Sequence, residues 1–222
     1  LTQVKVVING AGAAGVAIAK LLQKAGASTI VLCDSKGILC RSRDDLNPQK
    51  LEFAIDESGS LADAMVGADI FLGVSARGVV SVGLGGVGAG VLVVLLVYGL
   101  PRFRRRSRVT DELFGGGDAR TAREPELVTD KVAVMATGRS DYPNQINNVL
   151  AFPGVLRGAL DCRAQEITPS MYLEAAYAIA ALVSPHELDR EHIIPSVFDE
   201  RVAAAVASAV KHAARVDGVA RK

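Results

Sequence analysis

The sequence lacks the residue clusters that build metal centres and disulfide frameworks. All three histidines lie in the last fifth of the chain with no other metal ligand at usable spacing, so no histidine-based metal site is predicted. They are His186, His192 and His212. The three cysteines form no C-x-x-C pair, which indicates free thiols in a reducing compartment. They are Cys33, Cys40 and Cys162.

An excess of charge of one sign is also absent. The formal net charge is +1, so the global charge predicts no nucleic-acid partner. There is no secretory signal, and we expect a cytoplasmic protein. The 222 residues, half of them hydrophobic, suffice for about one large domain with a core. The chain begins with Leu1 and its first strand follows almost at once, so we expect the C-terminal piece of a longer protein.

A glycine turn between a short strand and a helix opens the chain. Residues 4–9 are apolar and predict a strand, and the apolar spacing over 13–25 predicts a helix. A second strand is predicted over 29–33, and it ends in Asp34. A G-x-G-x-x-G turn placed between a strand and a helix, with an acid at the end of the next strand, is typical of a dinucleotide-binding site.

Each part of this turn has a physical role. Gly10 allows the tight turn, Gly12 leaves room for a pyrophosphate, and Gly15 lets helix and strand pack closely. The N–H groups and the positive end of the helix favour phosphates. Asp34 can accept hydrogen bonds from an adenosine ribose. The predicted cofactor-binding residues of this region are Gly10, Ala11, Gly12, Ala13, Ala14, Gly15, Asp34 and Ser35.

The choice between NAD and NADP depends on the charge around Asp34. A carboxylate there favours a free 2′-hydroxyl and hence NAD, because it repels a 2′-phosphate. Nearby polar and basic residues can offset that charge, so NADP stays open. They are Ser35, Lys36, Arg41, Arg43 and Lys50. Residues 37–50 as a whole are polar and predict a surface excursion rather than a core element.

The repeated strand–helix order predicts an α/β fold, with a doubly wound, mostly parallel Rossmann-type sheet and helices on both faces. A helix is predicted from a capping Ser60, and a buried strand over 68–75. Because the carboxyl ends of such strands face the ligand crevice, Val74 and Ser75 are predicted to line the cofactor.

Residues 79–100 carry no charge and precede an arginine-rich run. The Val/Leu run over 91–97 predicts a central parallel strand. Residues 102–130 predict an exposed, irregular insertion. A membrane span over 79–108 is the less favoured alternative, since it would interrupt the sheet.

A further strand is predicted over 131–135, and the motif ATGRSDYPNQINNVLAFPG follows it at 136–154. This block resembles the signature of bacterial malic enzymes. The opening VKVVINGAGAAGVAIAKLL, the DSKG at 34–37, the GADIFLGVSA at 67–76 and the IIPSVFDERVAAAVASAVKHAA at 193–214 are also similar to that family. The resemblance covers most of the chain except about 79–130.

The resemblance implies oxidative decarboxylation of L-malate to pyruvate and CO₂, with NAD(P)⁺ and a divalent Mg²⁺ or Mn²⁺. It implies that Gly138 lines the cofactor and that Asn148, with Asn147, contacts the substrate. A structural role, capping the following helix, applies equally to Asn144.

The resemblance also implies that the general acid, the general base and the metal ligands lie upstream, so no catalytic or metal-binding residue is assigned here. We therefore expect the cofactor-binding half of the enzyme, inactive alone, which needs the N-terminal malic enzyme domain and forms a homo-oligomer. Leu100 stands where the family has a substrate-binding Asn, and a local frame disruption would explain this. A non-catalytic dinucleotide-binding module and a membrane-attached variant remain as alternatives.

Two regions are predicted along the chain: a Rossmann domain over 1–155, and a helical extension over 156–222 that packs on it. Helices are predicted over 171–183 and 201–215, the second after a start signal at 196–199.

Overall fold

The computed structural model describes residues 2–74, 134–136, 138 and 140–222. The contacts divide the chain into two compact units, and the described residues 2–74 belong to the first and those from Val134 onward to the second. Residues 134–155, which the sequence analysis joined to the Rossmann domain, thus group with the C-terminal helices. The strand predicted over 91–97, the insertion over 102–130 and the alternative span over 79–108 lie outside the described residues.

The first unit contains a mostly parallel sheet. Its strands are β1 (Lys5–Asn9), β2 (Thr29–Asp34), β3 (Gly37–Ile38) and β4 (Ile70–Gly73), in the order β3-β2-β1-β4. The central strand β1 is parallel to both β2 and β4, and the short β3 returns antiparallel to β2. The carboxyl ends of β1, β2 and β4 therefore lie at one edge of the sheet, because Asn9 is in register with Cys33 and with Gly73.

Helices cover both faces of this sheet. They are α1 (Ala13–Lys24) and α3 (Leu61–Met65), and a short helix, α2 (Pro48–Leu51), comes between them along the chain. The buried side chains of α3 cluster with Val7 and Val31, whereas α1 contacts the same two strands and its residues are absent from that cluster. Since successive side chains of a strand point to opposite faces, α1 covers the face towards which Val6 and Ile8 point. The predicted α/β class is confirmed.

The helix start predicted at Ser60 is present as a capping box. The Ser60 hydroxyl accepts a hydrogen bond from the Asp63 backbone N–H, and the Asp63 carboxylate accepts one from the Ser60 N–H. This exchange satisfies two backbone donors at the beginning of a helix only five residues long.

The interpretation of 37–50 as a surface excursion is wrong for its first part. Ile38, Leu39 and Cys40 are buried, and the Leu39 N–H donates to the Leu32 carbonyl oxygen at 2.9 Å. The chain turns back on β2 directly after Asp34, which brings this apolar triplet into the core. Only the residues beyond it remain at the surface, and the polar composition of the whole segment hid this division.

The described part of the second unit is helical. A 3₁₀ turn (Asn148–Leu150) leads into α4 (Phe152–Asp161), α5 (Pro169–Ala180) and α6 (Arg201–Val216). The long α6 packs against both other helices, and its side chains approach α4 closely at Gly154 and Gly158. The two C-terminal helices predicted from the sequence are both present.

Two further expectations concern strands and membranes. Val134 and Met135, the described part of the strand predicted over 131–135, lie outside any strand. Among the helices of the described residues, none is long and apolar enough to cross a bilayer.

The three cysteines are buried free thiols, and burial raises the pKa of Cys33 to about 12.

Candidate dinucleotide-binding site

The glycine turn lies at the carboxyl end of the central strand. Gly10 has φ +122°, a conformation that side chains rarely adopt. Its N–H donates to the Cys33 carbonyl oxygen at 2.8 Å, which fixes the turn against the end of β2. The tight turn predicted at Gly10 is thus present, and it directs the chain over the edge of the sheet.

Gly15 brings α1 against this turn. A Cβ at this position would lie 1.9 Å from the Gly10 carbonyl oxygen and 3.3 Å from Val74 Cγ2. The Val74 N–H in turn donates to the Asn9 carbonyl oxygen at 2.9 Å. The predicted close packing of helix and strand is therefore present, and Val74 lies beside the turn, where the sequence placed a cofactor wall. Ser75 lies outside the described residues.

The beginning of α1 is open and lacks acidic side chains. Gly12 is the N-cap residue, with an ordinary φ of −83° and no side chain to cap the helix. A Cβ on Gly12 would meet no atom within 4 Å, and both Gly12 and Ala13 are exposed, whereas Ala11 is buried beneath them. The N–H groups of the first helical turn, including that of Ala14, have no acceptor within the helix. This open cradle fits a pyrophosphate.

Asp34, at the end of β2, is held by a cluster of cations. Arg43 forms a two-pronged bond to it, with Nη1 2.9 Å from Oδ1 and Nη2 2.9 Å from Oδ2. Lys50 Nζ lies 3.1 Å from Oδ2, and the Lys36 backbone N–H donates to Oδ1 at 3.0 Å. The Asp34 and Arg43 side chains are each only 15% exposed. This cluster joins three segments of the chain around one carboxylate.

The charges of the cluster extend to a second carboxylate. Asp45 accepts hydrogen bonds from Arg43 Nε at 2.9 Å and from Lys36 Nζ at 2.8 Å, and these bonds lower its pKa. Burial alone would raise the pKa of Asp34, but the bonds from Arg43, Lys36 and Lys50 outweigh it and lower that pKa to about 2. The same carboxylates raise the pKa of Arg43.

Two of the residues proposed to offset the charge of Asp34 do not join it. Ser35 is exposed beside it. Arg41 points elsewhere, since its Nε donates to the Ala54 carbonyl oxygen at 2.9 Å and its Nη1 lies 3.7 Å from Asp56. The sequence proximity of these residues indicated the cluster, but the pairing itself depends on the hairpin formed by β2 and β3.

The three asparagines of the 136–154 block have different environments. Asn144 is buried, with φ +55°; its Nδ2 donates to the carbonyl oxygens of Met135 and Arg190, and its Oδ1 accepts from the Ile193 N–H at 2.8 Å. Asn147 caps the 3₁₀ turn, with its Oδ1 3.1 Å from the Val149 N–H. Asn148 is exposed.

Asn144 therefore has a structural role, but its side chain bridges loops. The capping role suggested for it belongs to Asn147. Gly138 is exposed, and a Cβ there would first meet the Ile146 carbonyl oxygen at 3.8 Å.

The described residues do not fit a divalent metal. Nowhere in 2–74, 134–136, 138 or 140–222 do three His, Cys, Asp or Glu side chains come together in a group that could hold an ion. Mg²⁺ and Mn²⁺ require several oxygen ligands around one point. No chemical step is therefore assigned to a metal on these residues.

Comparison with known proteins agrees with this geometry. The family model described as "Malic enzyme, NAD binding domain" matches residues 130–215. The chain is 44% identical over 227 residues to the NAD-dependent malic enzyme of Geobacillus stearothermophilus, a match that covers 100% of the chain and 44% of that relative. It is 38% identical over 237 residues to the NADP-dependent malic enzyme of Rhizobium meliloti (strain 1021), covering 98% of the chain and 29% of that relative.

A solved structure is similar over the same extent. The malic enzyme from Pyrococcus horikoshii Ot3 has 30% sequence identity and a TM-score of 0.72, with 100% of this chain and 50% of that chain covered. The chain thus spans half or less of the length of these relatives.

Proposed function

Because this chain belongs to the malic enzyme family and corresponds to its NAD-binding part, we propose that it binds NAD⁺ or NADP⁺ as the cofactor-binding half of a malic enzyme. The proposed reaction of the whole enzyme is the oxidative decarboxylation of L-malate to pyruvate and CO₂. The bound nicotinamide supplies the hydride acceptor for this reaction.

The geometry of the glycine turn supports the cofactor role most directly. Gly12 and Ala13 leave the beginning of α1 open, and its free N–H groups can hold a pyrophosphate. The adenosine ribose would then reach the end of β2, near Asp34 and Ser35, and Val74 would form part of the wall. Gly138 and Ser75 are also proposed to be cofactor-binding residues.

For the substrate, we propose that Asn148 contacts a carboxylate of malate. Its carboxamide is exposed, and an uncharged amide can donate hydrogen bonds to a carboxylate. The capping bond of Asn147 positions the turn that carries Asn148, so Asn147 acts on the substrate mainly through its neighbour.

Mg²⁺ or Mn²⁺ is proposed to be held by the N-terminal malic enzyme domain, as are the acid and base. A homo-oligomer in the cytoplasm, with no nucleic-acid or membrane partner, completes the proposal.

The variant Gly12→Val tests the cofactor site. Because a Cβ on Gly12 meets no atom within 4 Å and its φ is ordinary, the valine should leave the fold intact while blocking the approach of the pyrophosphate. Calorimetric titration with NAD⁺ and NADP⁺ should show affinity falling by about tenfold or more, a loss of about 1.4 kcal/mol. Thr29→Val, which places a valine on the exposed opposite end of β2, is the control and should bind as the unaltered chain does. Equal affinity of the Gly12→Val variant would refute the site.

A further inference from the structure

We infer that Arg43 and Lys50 determine the cofactor specificity of this site, and that they make it accept NADP⁺ as well as NAD⁺. This inference rests on the proposed function, since it concerns the ribose end of the same cofactor site. It revises the preference for NAD that the carboxylate of Asp34 suggests by itself.

The acceptor positions of Asp34 are already filled. A carboxylate offers about four lone-pair sites on its two oxygens. Oδ1 accepts from Arg43 Nη1 and the Lys36 N–H, and Oδ2 accepts from Arg43 Nη2 and Lys50 Nζ. A ribose 2′-hydroxyl could therefore bond to Asp34 only by displacing one of these donors. The usual reason why an acid at this position selects NAD is absent here.

The cluster around Asp34 carries an excess of positive charge. Lys36, Arg43 and Lys50 supply three positive charges against the two negative charges of Asp34 and Asp45, which leaves one positive charge in excess. A 2′-phosphate arriving at the end of β2 would meet this excess rather than an isolated carboxylate. The guanidinium of Arg43 contributes through its charge, since its five N–H donors are already bonded to Asp34, Asp45 and the Ile38 carbonyl oxygen.

The side chains at the centre of the cluster are largely buried and held in place. The side chains of Asp34 and Arg43 are 15% exposed and that of Lys50 is 24% exposed, whereas that of Lys36 is 66% exposed. The two-pronged bond between Arg43 and Asp34 holds the guanidinium at the end of β2 before any ligand arrives. Lys36, on the surface, is free to turn from Asp45 towards a phosphate.

The experiment compares the dissociation constants of NAD⁺ and NADP⁺ for the unaltered chain and for four variants. The unaltered chain should bind the two cofactors within about tenfold of each other. In Arg43→Met and in Lys50→Met the carboxylate of Asp34 loses a cation, so the preference should shift towards NAD⁺ by about tenfold. Asp34→Asn removes a negative charge from the cluster, so the preference should shift towards NADP⁺ by about tenfold.

Arg41→Met is the matched control, because Arg41 lies in the same segment and bonds to Ala54 instead of Asp34. It should leave the ratio unchanged. Lys50→Met keeps the test available if removal of the more buried Arg43 unfolds the chain, and thermal unfolding monitors this.

An unaltered chain that prefers NAD⁺ by more than about a hundredfold, or a ratio that Lys50→Met leaves unmoved, would overturn the inference. Failure of the proposed function has a different signature, namely that the unaltered chain binds neither cofactor. A large loss of NAD⁺ affinity in Asp34→Asn would show that the ribose bonds to that carboxylate after all, and would also overturn the inference.

Discussion

Replacing Gly15 by alanine measures how closely α1 approaches the glycine turn. A Cβ there would lie 1.9 Å from the Gly10 carbonyl oxygen, about 1.5 Å inside a normal contact distance. Gly10 cannot give way easily, because it has φ +122° and its N–H is bonded to Cys33. Overpacking of a core costs about 1–3 kcal/mol, and here it exceeds the gain of about 1 kcal/mol from placing alanine in a helix. We therefore expect a net loss of about 2 kcal/mol in the free energy of unfolding.

Urea or thermal unfolding followed by circular dichroism measures this loss. For a chain of this size, about 2 kcal/mol corresponds to a fall of about 4–8 °C in Tm. Gly12→Ala is the matched control, since a Cβ there meets no atom within 4 Å, and its free energy of unfolding should stay within about 0.5 kcal/mol. If the Gly15→Ala and Gly12→Ala variants unfold at the same midpoint, helix and turn are not as close as described.

Three further outcomes are expected. The pKa of Asp34 is lowered to about 2 in the folded chain, below its unfolded value of about 3.9. Its ion pairs therefore contribute about 2 kcal/mol of stability above about pH 3.9, and this contribution is lost as the pH falls through about 2. An acid-unfolding profile unchanged by Asp34→Asn would contradict this. Gly158→Ala should lower the free energy of unfolding by about 2 kcal/mol, because its Cβ would lie 2.6 Å from the Ala207 carbonyl oxygen and 2.8 Å from Val210 Cβ. In a double-mutant cycle, Val210→Ala should cost less stability in the Gly158→Ala variant than it does in the unaltered chain. The 222-residue chain alone should not reduce NAD(P)⁺ with L-malate and Mg²⁺ or Mn²⁺; metal-dependent production of NAD(P)H, followed by absorbance, would show that the acid, the base and the metal ligands are not confined to another domain.

Local patterns predicted much of the first unit. The strand, turn and helix up to Lys24 follow from apolar spacing and from three glycines, and each of these signals acts within a few residues of the structure it specifies. Ser60 identified the beginning of a five-residue helix because a capping box is a local exchange of two hydrogen bonds. The C-terminal helix Arg201–Val216 was equally accessible from its periodicity.

Contacts between distant positions were not predicted. The burial of Leu39 depends on the chain reversing after Asp34, and the polar residues around it pointed to the surface. The bond between Asp34 and Arg43 requires the same reversal, so the sequence indicated only that cations were near. The capping role fell on Asn147 rather than Asn144, because the backbone at Asn144 is left-handed and turns that side chain into the interior.

The buried carboxamide of Asn144 has a consequence for how the 136–154 block is interpreted. Its three hydrogen bonds reach Met135, Arg190 and Ile193, so this residue of the motif holds loops together. Asn148, four positions later, is exposed, and it is the residue proposed to contact the substrate carboxylate. A chain that kept Asn144 and lost Asn148 would still resemble the family in sequence and fold, but it could not bind substrate in this way. The block therefore contains residues that maintain the fold and residues proposed to act on the substrate. Only the latter distinguish an enzyme from a protein that has the same fold.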